Sequence, residues 1–140
     1  MSYRKILLLL TAVVLFPLMG SAQSKAAEEY DAYVAELKAR CPIEYQDDWC
    51  IRTFKSNDDT TRVELQFPSL LVPFLSALTV NNENARKLWV RQMHMFGEDW
   101  AKFERLLLAA NRTLVLDFVL EDEEEGPLAT MTFLPEDFNQ

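Results

Sequence analysis

Thr113-Leu114-Val115-Leu116-Asp117-Phe118-Val119-Leu120 is the stretch whose reading sets the architecture. Leu114, Leu116, Phe118 and Leu120 recur at a spacing of two, the period of a β-strand and not of a helix. A strand with one solvated face carries polar residues at the alternate positions. Here those positions are Thr113, Val115, Asp117 and Val119, and the two valines make the second face apolar as well. Such a strand is covered on both sides or lies inside a sheet. The rest of the chain has to supply its neighbours and its cover.

Downstream, Glu121 to Gly126 forms an acidic turn, Leu128 to Leu134 reads as the last strand, and Pro135 ends it. Upstream stand two amphipathic patterns. From Ala85 the apolar positions are Leu88, Trp89, Met93 and Phe96, and from Asp99 they are Trp100, Phe103, Leu106, Leu107 and Ala110. Both follow the 3.6-residue period of a helix that buries one stripe. Asn81-Asn82 offers an N-cap to the first, Gly97 separates the two, and Asn111 suits a left-handed C-terminal cap. A shorter helix is expected to begin near Pro73.

Earlier in the chain, Val63, Leu65 and Phe67 alternate with Arg62, Glu64 and Gln66, after the turn cluster Asn57-Asp58-Asp59 and a less regular strand from Cys50. That is a hairpin with one buried face. Residues 25–40 place Tyr30, Tyr33, Val34 and Leu37 on one helical stripe, with acidic residues early and Lys38 and Arg40 late, which complements the helix dipole. Pro42 stops this helix. The expected order is α-β-β-α-α-α-β-β. It predicts an α+β fold in which two hairpins form a four-stranded antiparallel sheet, with the N-terminal helix and the central helical block on one face.

The first 22 residues have a different character. Arg4 and Lys5 precede an apolar run from Ile6 to Leu18, and Gly20-Ser21-Ala22 supplies small residues at its end. Basic, apolar and small-residue segments in that order define a secretory signal, shorter than a membrane span. Ser21 follows Leu18-Met19-Gly20 where a lipoprotein box needs cysteine, so the exported product is expected to be free of lipid. The domain reading is a signal peptide over 1–22 and a single α+β domain over 23–140. Loss of Arg4 and Lys5 takes the net charge from −8 to −10. That charge disfavours nucleic acid and anionic bilayer surfaces as partners.

Export makes a disulfide between Cys41 and Cys50 chemically permissible, and this pairing is the expectation. The spacing fits neither a CxxC redox pair nor a zinc site. The loop between them carries Tyr45, Asp47, Asp48 and Trp49, aromatic rings beside acids, and these four are the candidate ligand contacts. Trp89 and Trp100 fall on the helical stripes and are expected in the core. His94, the single histidine, sits beside a stripe with no partner named by the sequence. The run Glu121-Asp122-Glu123-Glu124-Glu125 lacks the alternating ligand pattern of a calcium loop. No catalytic residue, metal-ligand set or cofactor motif stands out.

Cys41-Pro42-Ile43, the first hairpin, the helical block and Arg112-Thr113-Leu114-Val115-Leu116-Asp117-Phe118 together resemble small exported proteins of Gram-negative bacteria, above all those of Bacteroidetes. In these a "CP-I" turn opens the domain, a helical block ends in an "R-T-L" or "G-x-x-L" entry into a strand, and a short hairpin closes the domain. The resemblance spans most of residues 41–134. It implies an α+β fold and bacterial export, and it carries over no active-site residue, because these groups are largely of unknown function. The sequence therefore predicts an exported binding module for a protein or a glycan. Two alternatives stand beside it: a cell-envelope hydrolase using a carboxylate pair such as Asp47 and Asp117, and a structural or envelope-stress protein.

Overall fold

The computed structural model describes residues 24–45, 48–57, 59–71, 73, 79–80, 82–121 and 126–139. The leader, the helix expected near Pro73, Asp47 and acidic-turn residues 122–125 lie outside these residues.

Helix α1 covers residues 24–40. Its apolar stripe, Tyr30, Tyr33, Val34 and Leu37, is buried as the periodicity predicts. The chain turns at Pro42 into β1 (Ile43–Glu44) and continues through β2 (Cys50–Ser56) and β3 (Thr60–Phe67). The β2–β3 turn is held by Asn57, whose Oδ1 accepts from the backbone N–H of Asp59 at 3.2 Å and of Thr60 at 2.9 Å. An Asx side chain that satisfies the backbone in this way makes the turn locally self-sufficient. A register shift between Ile51 and Thr53 places an extra residue in β2. The bulge lets Ile51 and Phe54, three positions apart, both enter the core, which explains the strand's irregular sequence pattern.

Helices α2 (Glu83–Met93) and α3 (Glu98–Ala109) follow. Asn82 caps α2, its Oδ1 accepting from the Ala85 N–H at 2.9 Å. Between the helices Gly97 adopts φ +108°, a conformation that L side chains rarely take, and Asn111 after α3 sits at φ +55°. Strands β4 (Thr113–Leu120) and β5 (Ala129–Phe133) complete the chain, and a short 3-10 turn, Pro135–Phe138, packs back on α2.

The sheet differs from the expected one in two respects. Among the described residues it has five strands in the order β1-β2-β3-β4-β5, and it is mixed: β3 and β4 run parallel, from Thr60↔Thr113 through Phe67↔Leu120. Strand β1 is two residues long, too short to show a period. The parallel pair follows from the connection. Residues 68–112 include α2 and α3, and such a crossover returns the chain to the end of the sheet from which β3 began. The Thr113 N–H donates to the Asp59 carbonyl at 2.9 Å, fixing that return.

Inward residues of the sheet, Val63, Leu65, Leu114, Leu116, Phe118, Met131 and Phe133, meet Trp89, Val90, Met93, Trp100, Phe103 and Leu107 of the helices in one apolar core. Val115 and Val119 are nearly as buried but lie outside that core, on the other face of β4. Both faces of this strand are withdrawn from water because it lies between β3 and β5.

A polar contact reaches into the core. The Tyr30 hydroxyl hydrogen-bonds Thr61 Oγ1, and Thr61 also contacts Ser56 Oγ at 3.0 Å. Burial pushes the Tyr30 phenol up from 10 to about 12, with its contacts to Thr61 and Arg112 pulling the other way. Below pH 10 the ring is neutral in the folded and unfolded chains alike. Between 10 and about 12 the unfolded chain releases the phenol proton while the folded chain keeps it, so stability falls as the pH rises through this window. Urea titrations below and above the window are expected to show a loss of roughly 2–3 kcal/mol from this group. Tyr30→Phe is expected to remove that share of the loss; an unchanged pH slope in the variant would contradict it.

Candidate functional site

The loop joining β1 to β2 is closed by backbone pairing. The Tyr45 N–H donates to the Trp49 carbonyl at 3.0 Å, next to the Glu44↔Cys50 and Ile43↔Ile51 pairs. Closure at residues 45 and 49 brings their rings face to face, with centroids 4.2 Å apart and planes 6° from parallel. Both rings are half-buried and pack on the core. Trp49 continues onto Phe67, the last residue of β3, at 5.8 Å and 15°, and onto Phe96, at the corner between α2 and α3, at 4.7 Å. Tyr45 reaches Phe96 at 5.9 Å. Phe96 in turn packs edge-on against Trp100 at 5.3 Å, and Trp100 against Phe103 at 4.9 Å. Offset and edge-on ring pairs of this kind add about 0.5–1.5 kcal/mol each beyond area burial.

The rings thus form a continuous column from the helix-covered core to one end of the sheet. Its outer members, Tyr45, Trp49 and Phe96, are half-exposed, while Met95, next to Phe96, is 79% exposed. Trp100, deep in the column, is buried as its stripe predicts, and its Nε1 has no hydrogen-bond partner. Trp89 is also buried, packed on Phe67 and Phe118. The structure therefore brings the candidate contacts Tyr45 and Trp49 together. Asp48 is exposed beside them, in the left-handed region at φ +63°, a conformation Asp tolerates better than most residues. Asp47 lies outside the described residues.

The expected disulfide is not formed. Cys41 and Cys50 are free thiols. Cys41 Sγ donates to the Leu37 carbonyl at 3.4 Å at the end of α1, packed against the core. Cys50 precedes the inward-facing Ile51 and so projects from the opposite face of the sheet. The two side chains leave the sheet edge on different sides, and it is the β1–β2 ladder that closes the loop. Burial raises both thiols above their ordinary value, with Cys50 at 41 the next cause and Glu44 at 50, which keeps them protonated and poorly nucleophilic.

Asp117, the other carboxylate of the hydrolase alternative, is engaged on every side. It accepts from Arg62 Nε at 3.0 Å and Nη2 at 2.9 Å, a bidentate pair, and from Thr130 Oγ1 at 2.7 Å. These contacts link β3, β4 and β5 across the face opposite the helices. His94 is exposed and contacts Glu104 through Nε2 at 3.0 Å. Among the described residues no group of three His, Cys, Asp or Glu side chains is placed to hold a metal ion. No described helix is long and apolar enough to cross a membrane.

No protein-family model matches the chain, and no curated protein matches it significantly. Two solved structures share its fold. One is a Pseudomonas aeruginosa protein described as secreted, with 13% identity and a TM-score of 0.58 over 84% of this chain and 96% of that one. The other is a pilotin from the Vibrio vulnificus type 2 secretion system, with 12% identity and a TM-score of 0.53 over 85% of this chain and 96% of that one. At this identity the likeness is one of fold.

The Asp117 geometry has a measurable consequence. Asp117→Asn keeps the shape but weakens the charge-assisted pair with Arg62, whose side chain is itself 48% exposed. A stability loss of about 1–2 kcal/mol is expected in urea unfolding. A variant as stable as the parent would show that this carboxylate does not tie the three strands together.

Proposed function

We propose that the protein is an exported interaction module that binds a protein partner through the ledge formed by Tyr45, Trp49 and Phe96. The observation that carries this reading is the aromatic column itself. It is anchored in the core at Trp100 and Phe103 and opens at one end of the sheet on half-exposed rings and the exposed Met95. Rigid aromatic side chains that are half-buried before binding lose little conformational freedom on contact, and Trp, Tyr and Met are enriched where proteins meet. The reading draws support from the secretory pattern of residues 1–22 and from the fold shared with a protein described as secreted and with a pilotin of a secretion system. Ser21 in place of a lipoprotein cysteine favours a product free of lipid. The hydrolase alternative finds less support, since Asp117 is held by Arg62 and Thr130.

The test is capture of the tagged full-length chain with its partners from the envelope of its native host. The double variant Tyr45→Ala/Trp49→Ala is expected to lose the co-purifying proteins while keeping its circular dichroism spectrum. Arg52→Ala, on an exposed position of β2 away from the ledge, is expected to keep them. The same captured set in parent and double variant would overturn the ledge as the contact surface.

A further inference from the structure

Strand β5 is the outermost strand on the side of the sheet away from β1. Such a strand keeps one row of backbone N–H and C=O groups unpaired, and among the described residues no segment pairs with that side of β5. Natural sheets blunt an edge of this kind with charged side chains or with proline inside the strand. Here Pro127 to Pro135 holds no charged residue, on a chain whose net charge is −8, and both prolines stand outside the strand. The nearest charges in the chain, Glu125 and Glu136, flank the segment. Leu128 and Leu134, one beyond each end of β5, are 38% and 44% exposed.

The same segment is nearly a palindrome about Met131: Pro127-Leu128-Ala129-Thr130-Met131-Thr132-Phe133-Leu134-Pro135. Only Ala129 and Phe133 break the symmetry, and both are apolar and pack on the core. We infer that β5 pairs with β5 of a second copy of this chain, antiparallel about a two-fold axis at Met131. That register sets Met131 against its own counterpart, Thr130 against Thr132 of the second copy, and Leu128 against Leu134 of the second copy. The exposed leucines cover each other, threonine pairs are favourable across strands, and main-chain bonds carry one sheet into the next. An unrelated strand would gain the main-chain bonds without the match at every position. No like charges meet within the paired segment, so the negative charge of the two copies opposes association from a distance, where salt screens it. A two-fold contact uses the same patch on both copies and closes at two. The β1–β2 loop lies at the opposite edge of the sheet, so the pairing leaves both aromatic ledges free.

Sedimentation equilibrium of the full chain measures the association, and circular dichroism checks the fold of each variant. The parent is expected to be a dimer that tightens as salt rises. Leu128→Lys/Leu134→Lys changes two exposed positions and sets like charges against each other at both ends of the pair. It is expected to sediment as a monomer with the parent's spectrum. Leu128→Lys/Leu134→Glu sets opposite charges together in the same register, twice per dimer, and is expected to associate about tenfold more tightly than the first variant. A monomeric parent would overturn the inference, including one whose β5 edge is taken up only by a different protein. Association that persists undiminished in the first variant would place the contact elsewhere in the chain, the leader included, and would also overturn it. Equal association of the two variants would contradict the two-fold register at Met131.

Discussion

The parallel pairing of β3 with β4 is the constraint on which the other features depend. Eight positions of one strand lie beside eight of the other, with Val63 against Leu116 and Leu65 against Phe118. Parallel neighbours cannot be joined by a tight turn, so the chain must leave the sheet and come back, and the apolar stripes of α2 and α3 are what it carries over the sheet on the way. Withdrawal of both β4 faces from water follows from the same arrangement. One face meets the helices, and the other is closed by its neighbours and by the Arg62–Asp117–Thr130 contacts. The parallel pair also brings the C-terminal ends of β3 and β4 to one end of the molecule, where Phe67 and Glu121 stand next to the β1–β2 loop.

That end is where the aromatic column emerges. Trp49 can stack on Phe67 because β2 begins where β3 ends, and Phe96 can reach both Trp49 and Tyr45 because Gly97 lets the chain turn sharply between α2 and α3. The ledge is thus assembled from three separate segments of the chain. Each is fixed by its own local device: a backbone hydrogen bond across the β1–β2 loop, the end of a paired strand, and a glycine at positive φ. Surfaces built in this way are set before a partner arrives, which lowers the ordering cost of binding.

Much of this was legible in the sequence, for reasons that differ from residue to residue. Periodicity located α1, α2, α3, the buried stripes at Tyr30–Leu37 and Trp89–Leu107, and the doubly apolar strand Thr113–Leu120, because burial acts on every turn or every second residue. Tyr45 and Trp49 were visible as aromatic residues in a short closed loop. The pairing direction of β3 and β4 was not legible, since alternation is the same in parallel and antiparallel strands. Phe96 read as one more residue of a helical stripe; only the Gly97 corner hinted that it sits at an end. The cysteine spacing was compatible with a disulfide, but the side of the sheet on which each thiol projects depends on the β1–β2 register. Two residues of β1 carry no period that would reveal it.

The most direct test of the architecture is the set of cross-strand proton contacts between β3 and β4 by nuclear magnetic resonance. A parallel pair predicts contacts in which residue numbers rise together on both strands, Arg62 near Val115, Glu64 near Asp117 and Gln66 near Val119. Contacts in which the numbers run in opposite directions, with Thr60 near Leu120 and Phe67 near Thr113, would contradict it. With the parallel pair would fall the helical return over the sheet and the common end on which the aromatic ledge is built.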